Sequence, residues 1–211
     1  DGLLWLPLSP TLMAYKTILK TDLVWTGYLN TIIIIVSGVA LNMFMTILAA
    51  YFFSRKGVMH SKKLFLFVLF TMFFNGGIVP TYLMVKWMGL LDNLLVLVLT
   101  VAINTNNMII LRTAFYNVPD SLEEAARIDG AGPLVILTKV IMPLILPTMA
   151  VIGLYYGVSH WNSWFNASIY ITDRKLYPLQ LVLRELLISQ DSALMSSAME
   201  AEMAKKAMLS E

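Results

Sequence analysis

"LVWTGYLNTIIIIVSGVALNMFMTILAAYFF", residues Leu23 to Phe53, contains no Asp, Glu, Lys or Arg. Apolar helices buried in soluble proteins seldom continue past about 14 residues without a charge, whereas a bilayer core asks for roughly 20. The stretch therefore reads as a membrane span. Three further runs, 64–85, 93–111 and 140–172, lack the same four residue types. The whole chain of 211 residues agrees, since 58% hydrophobic content with 13% charge is too oily for a water-soluble globule. Lipid offers the backbone no hydrogen bonds, so spans must be helices or closed barrels, and these unalternating runs do not suit barrel strands. The expectation is an all-α integral membrane protein, a polytopic helical bundle forming one transmembrane domain over residues 1–211. Its spans are placed at about 23–53, 64–86, 93–112 and 144–171.

Short loops orient the bundle. "SRKGVMHSKK", Ser54 to Lys63, holds four cations, Arg55, Lys56, Lys62 and Lys63, while "KWMGLLD" holds only Lys86 and Asp92. The positive-inside rule puts the first loop in the cytoplasm. Alternation then sets 87–91 outside, the loop 113–143 inside and the segment 172–211 outside, while residues 1–22 read either as an outer-face lead-in with Trp5, Tyr15 and Trp25 at the headgroup level or as an ordinary loop with a short helix. A net charge of +2 with no basic cluster interleaved with aromatics argues against nucleic acid as a partner. The absence of cysteine excludes disulfides and cysteine-ligated metals. Membrane lipid is the expected surroundings. The opening "DGLLWLPLSP" and the close "KKAMLSE" are both abrupt, and we expect a piece of a longer chain.

The most charged segment is "PDSLEEAARIDGAGP", Pro119 to Pro133. Asp120 or Ser121 suits a helix cap, Ser121 and Glu124 have capping-box spacing, Glu123 and Glu124 sit at the positive helix end, and Gly130 supplies a stop. Pro133 suits the first turn of a second helix that Pro143 then disturbs. Ala125, Ala126, Gly130 and Ala131 keep the first helix thin enough for close approach by another backbone, and Glu123, Glu124, Arg127 and Asp129 offer charged contacts. A solvated connector fits the same residues, because caps specify a helix and not a partner.

"EAARIDGAGPLVILTKVIMP" resembles the coupling-loop signature of bacterial binding-protein-dependent ABC importer permeases: Glu-Ala-Ala, three residues, Gly, nine residues, then Ile-x-Leu-Pro. Glu124, Ala125, Ala126, Gly130 and Pro143 match, while Val140 and Met142 replace Ile and Leu. "PDSLEEAARIDGA" is similar to the carbohydrate class, that of the second permease subunit of the maltose importer. "GGIVPTYLMVKWMGLLDN", "WNSWFNASIY" and "LYPLQLVLRELL" look like the subgroup that imports complex-glycan or uronate-containing oligosaccharides. The resemblance implies six spans, of which the four here are the second to fifth; the first and last fall outside this sequence. It implies a multi-pass subunit of the bacterial cytoplasmic membrane that pairs with a second permease subunit. A dimer of ABC ATPases would bind ATP and magnesium and grip the short helix, and an external sugar-binding protein would deliver oligosaccharide. This chain has no GxxxxGK[ST] loop for ATP phosphates, so no cofactor is expected on it and no catalysis by it. Glu123, Glu124, Ala125, Ala126, Arg127, Asp129, Gly130 and Ala131 are then the ATPase-coupling residues. Tyr177 to Met199 is the candidate contact for the binding protein.

Polar residues inside spans are costly and face other helices or a water-filled path. Thr100, Asn104 and Asn107 share one helical stripe, as do Ser159, Asn162, Asn166 and Tyr170. Asn75, Asn104, Asn107, Asn162 and Asn166 suit sugar hydroxyls, and Trp161 and Trp164 suit stacking on a sugar ring. The competing readings are interhelical hydrogen bonds for the asparagines and an interfacial belt for the tryptophans. Pro80 removes a hydrogen bond to Gly76, so Gly76, Gly77 and Pro80 read as a kink or gate, or else as a close-packing surface. Gly38, Asn42 and Ala49 read as a packing face, and His160 as a satisfied histidine of the membrane interior or its interface. A secondary transporter would want an intramembrane carboxylate and a membrane enzyme a catalytic set, and the spans hold neither. A permease for a non-sugar solute fits the same signature.

Overall fold

The computed structural model describes residues 21–55, 58, 60–74 and 76–189. Among these, every regular element is helical. Helix α1 (Asp22–Ser54) is unbroken over 33 residues, and its length and mean hydropathy of 2.4 allow it to cross a membrane alone. Its buried residues are Gly27, Asn30, Thr31, Ile34, Gly38, Asn42, Thr46, Ala50 and Ser54, a seam that is mostly small or polar. The outward residues, among them Leu29, Ile33, Val36 and Phe44, are bulky and apolar. This inversion of the soluble pattern is what lipid demands, since greasy side chains face the acyl chains and small or hydrogen-bonding ones face protein. A step of four residues advances roughly 40° beyond a full turn, so the seam winds around α1 and meets different neighbours at different depths.

The range 64–86, expected as one span, is two helices. Helix α2 (Ser61–Phe73) and α3 (Ile78–Trp87) meet at 112°, and the pair is apolar enough to cross a membrane together. Pro80 does not kink a continuing helix: it sits in the first turn of α3, where a missing N–H removes nothing. The break belongs to Gly77, whose φ of +85° is open to glycine and strained for other residues. The range 93–112 also divides, into α4 (Leu95–Leu99) and α5 (Thr105–Tyr116). A short helix α6 (Asp120–Ile128) follows. Next comes α7 (Pro133–Leu144), which meets α8 (Leu146–Trp161) at 85°. The expected span 144–171 accordingly comprises α8 and a separate α9 (Trp164–Tyr170). A short turn at Arg174–Leu176 and a helix at 179–189 complete the described chain.

The disturbance anticipated at Pro143 takes a specific form. Residues Ile136–Ile141 widen into a π turn, and the Met142 N–H reaches back five residues to the Leu137 carbonyl. Pro143 has no N–H for the Lys139 carbonyl and its ring crowds that oxygen; the wider turn relieves the crowding. Around α1 the apolar core forms two clusters. One, with Ala50, Met108, Leu111, Phe115, Ile141 and Ile152, lies toward the C-terminal end of α1. The other, with Ile34, Val85, Leu97, Ala167, Tyr170 and Leu181, lies toward the opposite end.

Asp92 fastens the end of the bundle where α9 stops. It has a φ of +55°, its N–H donates to the Tyr170 carbonyl at 3.1 Å, and its Oδ1 accepts from the Thr172 and Asp173 N–H groups at 2.5 and 3.0 Å. These two backbone donors hold its carboxyl below the usual carboxylate range. A lowered folded value means the contact is complete at neutral pH and is lost only as the pH falls through that value. Asp92→Ala is therefore expected to speed amide hydrogen exchange at Thr172 and Asp173 at neutral pH, while leaving exchange in α1 unchanged.

Candidate functional site

Between the two apolar clusters lies a layer of polar groups, most of them on helices on either side of the gap between α4 and α5. That gap leaves backbone groups without helical partners, a serious cost at membrane depth unless side chains supply them. Asn42 of α1 donates from Nδ2 to the Val101 carbonyl at 2.5 Å, and the Tyr156 hydroxyl of α8 accepts from the Asn104 N–H at 3.1 Å. Tyr156 can then donate to Thr46 Oγ1, 2.7 Å away. Asn104 caps α5, its Oδ1 accepting from the Asn107 N–H at 3.1 Å. Because Asn42 Nδ2 is committed to Val101, its Oδ1 accepts from His160 Nε2 at 2.6 Å, which fixes the imidazole proton on Nε2. His160 is 2% exposed, in keeping with a satisfied interior histidine.

A cleft of about 380 Å³ opens onto this layer, lined by Thr100, Asn104, Asn106, Asn107, Tyr155, Tyr156, Ser159 and His160 among others. The lining carries no carboxylate and no Lys or Arg. Of the expected path residues, Asn104 and Asn107 meet here. Asn162 does not; it is exposed, with Nδ2 donating to the Val158 carbonyl at 2.9 Å. Trp161 and Asn166 are half-buried and lie outside the lining. Trp164 packs under Arg184, 3.5 Å from guanidinium carbon to ring centroid, and edge-on against Phe165. Asn75 lies outside the described residues, as does the part of Tyr177 to Met199 beyond residue 189. Asn106, Tyr156 and His160 were not among the expected path residues; Tyr156 and His160 are four apart on α8, a signal the asparagine stripe masked.

The charged loop builds a second site. Helix α6 begins after Pro119, so Ser121 lies inside the first turn and the Ser121–Glu124 capping box does not form. Gly130 supplies the stop with φ +80°, its N–H reaching the Arg127 carbonyl at 3.0 Å, and Ala131 N–H reaches Ala126 at 2.9 Å. Ala126 and Ala131 pack inward against the cluster of Ala50, Met108 and Phe115. Glu123 also turns inward, 8% exposed and paired with Arg55 and Arg127. Glu124, Ala125, Arg127, Asp129 and Gly130 remain exposed. With them lie Leu122, at 41% exposure, and Ile128, at 86%. The outer face of α6 thus carries an apolar line, Leu122, Ala125 and Ile128, at helical spacing, flanked by acids. The sequence reading passed over Leu122 and Ile128.

Comparison with known proteins assigns the class. The family described as "Binding-protein-dependent transport system inner membrane component" matches residues 63–199. A solved structure of a bacterial ABC transporter involved in the import of the acidic polysaccharide alginate superposes with a TM-score of 0.85 at 34% identity, covering 93% of this chain and 72% of that one. The protein is thus an all-helical membrane permease of the ABC transporter kind, and it belongs to the binding-protein-dependent transport system inner membrane component family. It is 40% identical over 200 residues to the polygalacturonan/rhamnogalacturonan transport system permease protein YtcP of Bacillus subtilis, covering 95% of this chain and 68% of the relative. It is also 40% identical over 185 residues to protein LplC of the same organism, covering 88% of this chain and 63% of the relative. The chain spans about two thirds of the length of these relatives.

Gly38 sets the closeness of α1 and α8. A Cβ there would stand 2.7 Å from two ring carbons of His160. Gly38→Ala is expected to push the imidazole off Asn42 and destabilise the domain by about 1–3 kcal/mol, the usual cost of overpacking. Thermal unfolding in detergent micelles measures it.

Proposed function

We propose that the chain is the translocation subunit of an ATP-driven importer for oligosaccharides in a bacterial cytoplasmic membrane. It works beside a second permease subunit, receives sugar from an external binding protein, and is driven by two cytoplasmic ATPases that bind ATP and magnesium. The observation that carries the reading is the outer face of α6: an apolar line on a short, rigidly seated helix in a loop that the cation count sets on the cytoplasmic side. Packed interfaces switch between discrete arrangements, so a helix gripped by a closing partner passes the movement on as a rigid shift. Glu124, Ala125, Asp129 and Gly130 meet the ATPase. Ala126, Arg127 and Ala131 hold the helix in place.

The cleft supplies the solute side. Amide, hydroxyl and imidazole groups can donate to and accept from sugar hydroxyls, and Tyr155 and Tyr156 offer ring faces. The names of the relatives, one for polygalacturonan and rhamnogalacturonan and one for alginate, favour acidic oligosaccharides. A secondary transporter is disfavoured by a cleft lining without a carboxylate to bind a coupling ion.

Two substitutions separate the sites when made in the complete transporter. Ala125→Trp and Ile128→Asp are expected to cut uptake and substrate-stimulated ATP hydrolysis together, by roughly tenfold or more, within the usual range of coupling free energies. Uptake intact in an assembled Ala125→Trp complex would sink the coupling role. Asn106→Leu is expected to raise the substrate concentration for half-maximal uptake by roughly five- to tenfold, the effect of about one lost hydrogen bond, with basal ATP hydrolysis unchanged. Uptake assays with labelled oligosaccharide in vesicles check it.

A further inference from the structure

Glu123 behaves unlike its neighbours in the charged loop. Its carboxylate is buried, Oε1 accepts from Arg127 at 2.6 Å, and Oε2 pairs with Arg55, the residue after the end of α1. Arg55 lies over the Tyr51 ring, 4.7 Å from its centroid, and Tyr51 packs edge-on against Phe115 of α5. Arg112 of α5 donates from Nε to the Phe53 carbonyl at 2.8 Å, satisfying one of the free carbonyls that end α1. The cytoplasmic end of α1 is therefore tied to α5 and α6 by two guanidinium groups, and removing one partner would leave a charge poorly solvated.

The other end of the same helix is tied as well. Asn30 donates to the Lys175 and Tyr177 carbonyls at 2.7 and 3.2 Å, and Thr31 Oγ1 accepts from the Leu179 N–H at 2.9 Å. Between these anchors α1 runs its 33 residues, roughly 50 Å, with no break.

We infer that Glu123 is a positioning residue that, through Arg55, clamps α6 to the end of α1, so that α6, α1 and the outer segment around 175–179 move as one body. This rests on α6 being the coupling helix, and it takes Glu123 out of the set that touches the ATPase. A movement imposed on α6 is then delivered to the outer surface by one unbroken helix, without passing through the bend between α2 and α3 or the one between α7 and α8.

The test uses the complete transporter in vesicles with its external binding protein, measuring uptake and ATP hydrolysis on the same preparation. Glu123→Gln preserves volume and removes the charge. Hydrolysis is expected to persist while uptake per ATP falls roughly tenfold, and exchanging the charges, Arg55→Glu with Glu123→Arg, is expected to restore part of the ratio. A merely structural role would lower the amount of active complex and leave the ratio alone, so an unchanged ratio in Glu123→Gln overturns the inference. The chain has no native cysteine, which permits a second measurement. Arg55→Cys with Glu123→Cys, joined by a short bis-maleimide that adds one thiol to each of its double bonds, is expected to transport when cross-linked, since the covalent tie replaces the ion pair. Transport abolished by the cross-link would show that the two residues must part in every cycle, and overturns it too; this arm decides if Glu123→Gln fails to assemble. Should Ala125→Trp and Ile128→Asp leave uptake intact, the coupling reading itself fails. A normal response there with an unchanged Glu123→Gln ratio sinks the clamp alone.

Discussion

The seam of small and polar residues on α1 is the constraint on which the rest of the bundle depends. In lipid there is no hydrophobic drive to press one helix against another, so association relies on close backbone approach and on hydrogen bonds that water cannot replace. Gly27 and Gly38 give the approach: added side chains there would meet Leu179 and His160. Asn30, Thr31, Asn42 and Thr46 give the bonds, each reaching a backbone or side-chain group on or near α1. Because the seam winds, the segment around 175–179, α8, the gap between α4 and α5, and α5 itself all meet the same helix at successive depths. A bulky apolar side chain at one seam position would displace one of these neighbours and leave its polar groups bare.

That seam makes broken helices possible elsewhere. The residues 100–104 leave the helical path within an uncharged run, which would be prohibitive at membrane depth if the freed Val101 carbonyl and Asn104 N–H had no partners. Asn42 and Tyr156 meet both. The cleft is a consequence of this repair. Where α4 stops and α5 begins, side chains cannot close against a continuous helix surface, and the space that remains is lined by the groups that satisfy the break. The same asparagines thus serve two purposes. Asn104 caps a helix and also faces the cleft, so interhelical bonding and solute contact are not exclusive alternatives at this position.

The division between what could and could not be read from the amino-acid sequence follows from this arrangement. Helix α1 was legible because an uncharged run of that length has few other destinations, and α6 and its glycine stop were legible because Gly130 and Pro133 punctuate locally. The breaks were hidden. A proline three residues into a helix and a proline in its middle look alike in sequence, so Pro80 was read as a kink where Gly77 is the point of reversal. Asn104 and Asn107 have helical spacing, and the same spacing serves a cap that bonds the N–H three residues on. Glu123 was grouped with its acidic neighbours because adjacent charges on a short helix are indistinguishable until the cation that claims one of them, Arg55, is found 68 positions earlier in the chain.

Where the domain is rigid and where it can bend therefore follow different chemistry. The straight element has its bonds directed sideways, from seam side chains to neighbours, and its own ladder intact. The chain bends between α2 and α3 and at Ile145 between α7 and α8, and it leaves the helical path across 100–104, where side chains meet the freed backbone groups. Replacing a hydrogen bond between side chain and backbone requires only a rotamer change, whereas unwinding part of an α-helix breaks several ladder bonds at once. Any rearrangement that opens the polar cleft is consequently cheapest at the junctions of α4 with α5 and of α8 with α9, which flank it, while α1 stays straight. The cleft is lined by the broken stretch between α4 and α5 on one side and by α8 on the other, and α1 stands behind both, bonded to the Val101 carbonyl and to His160.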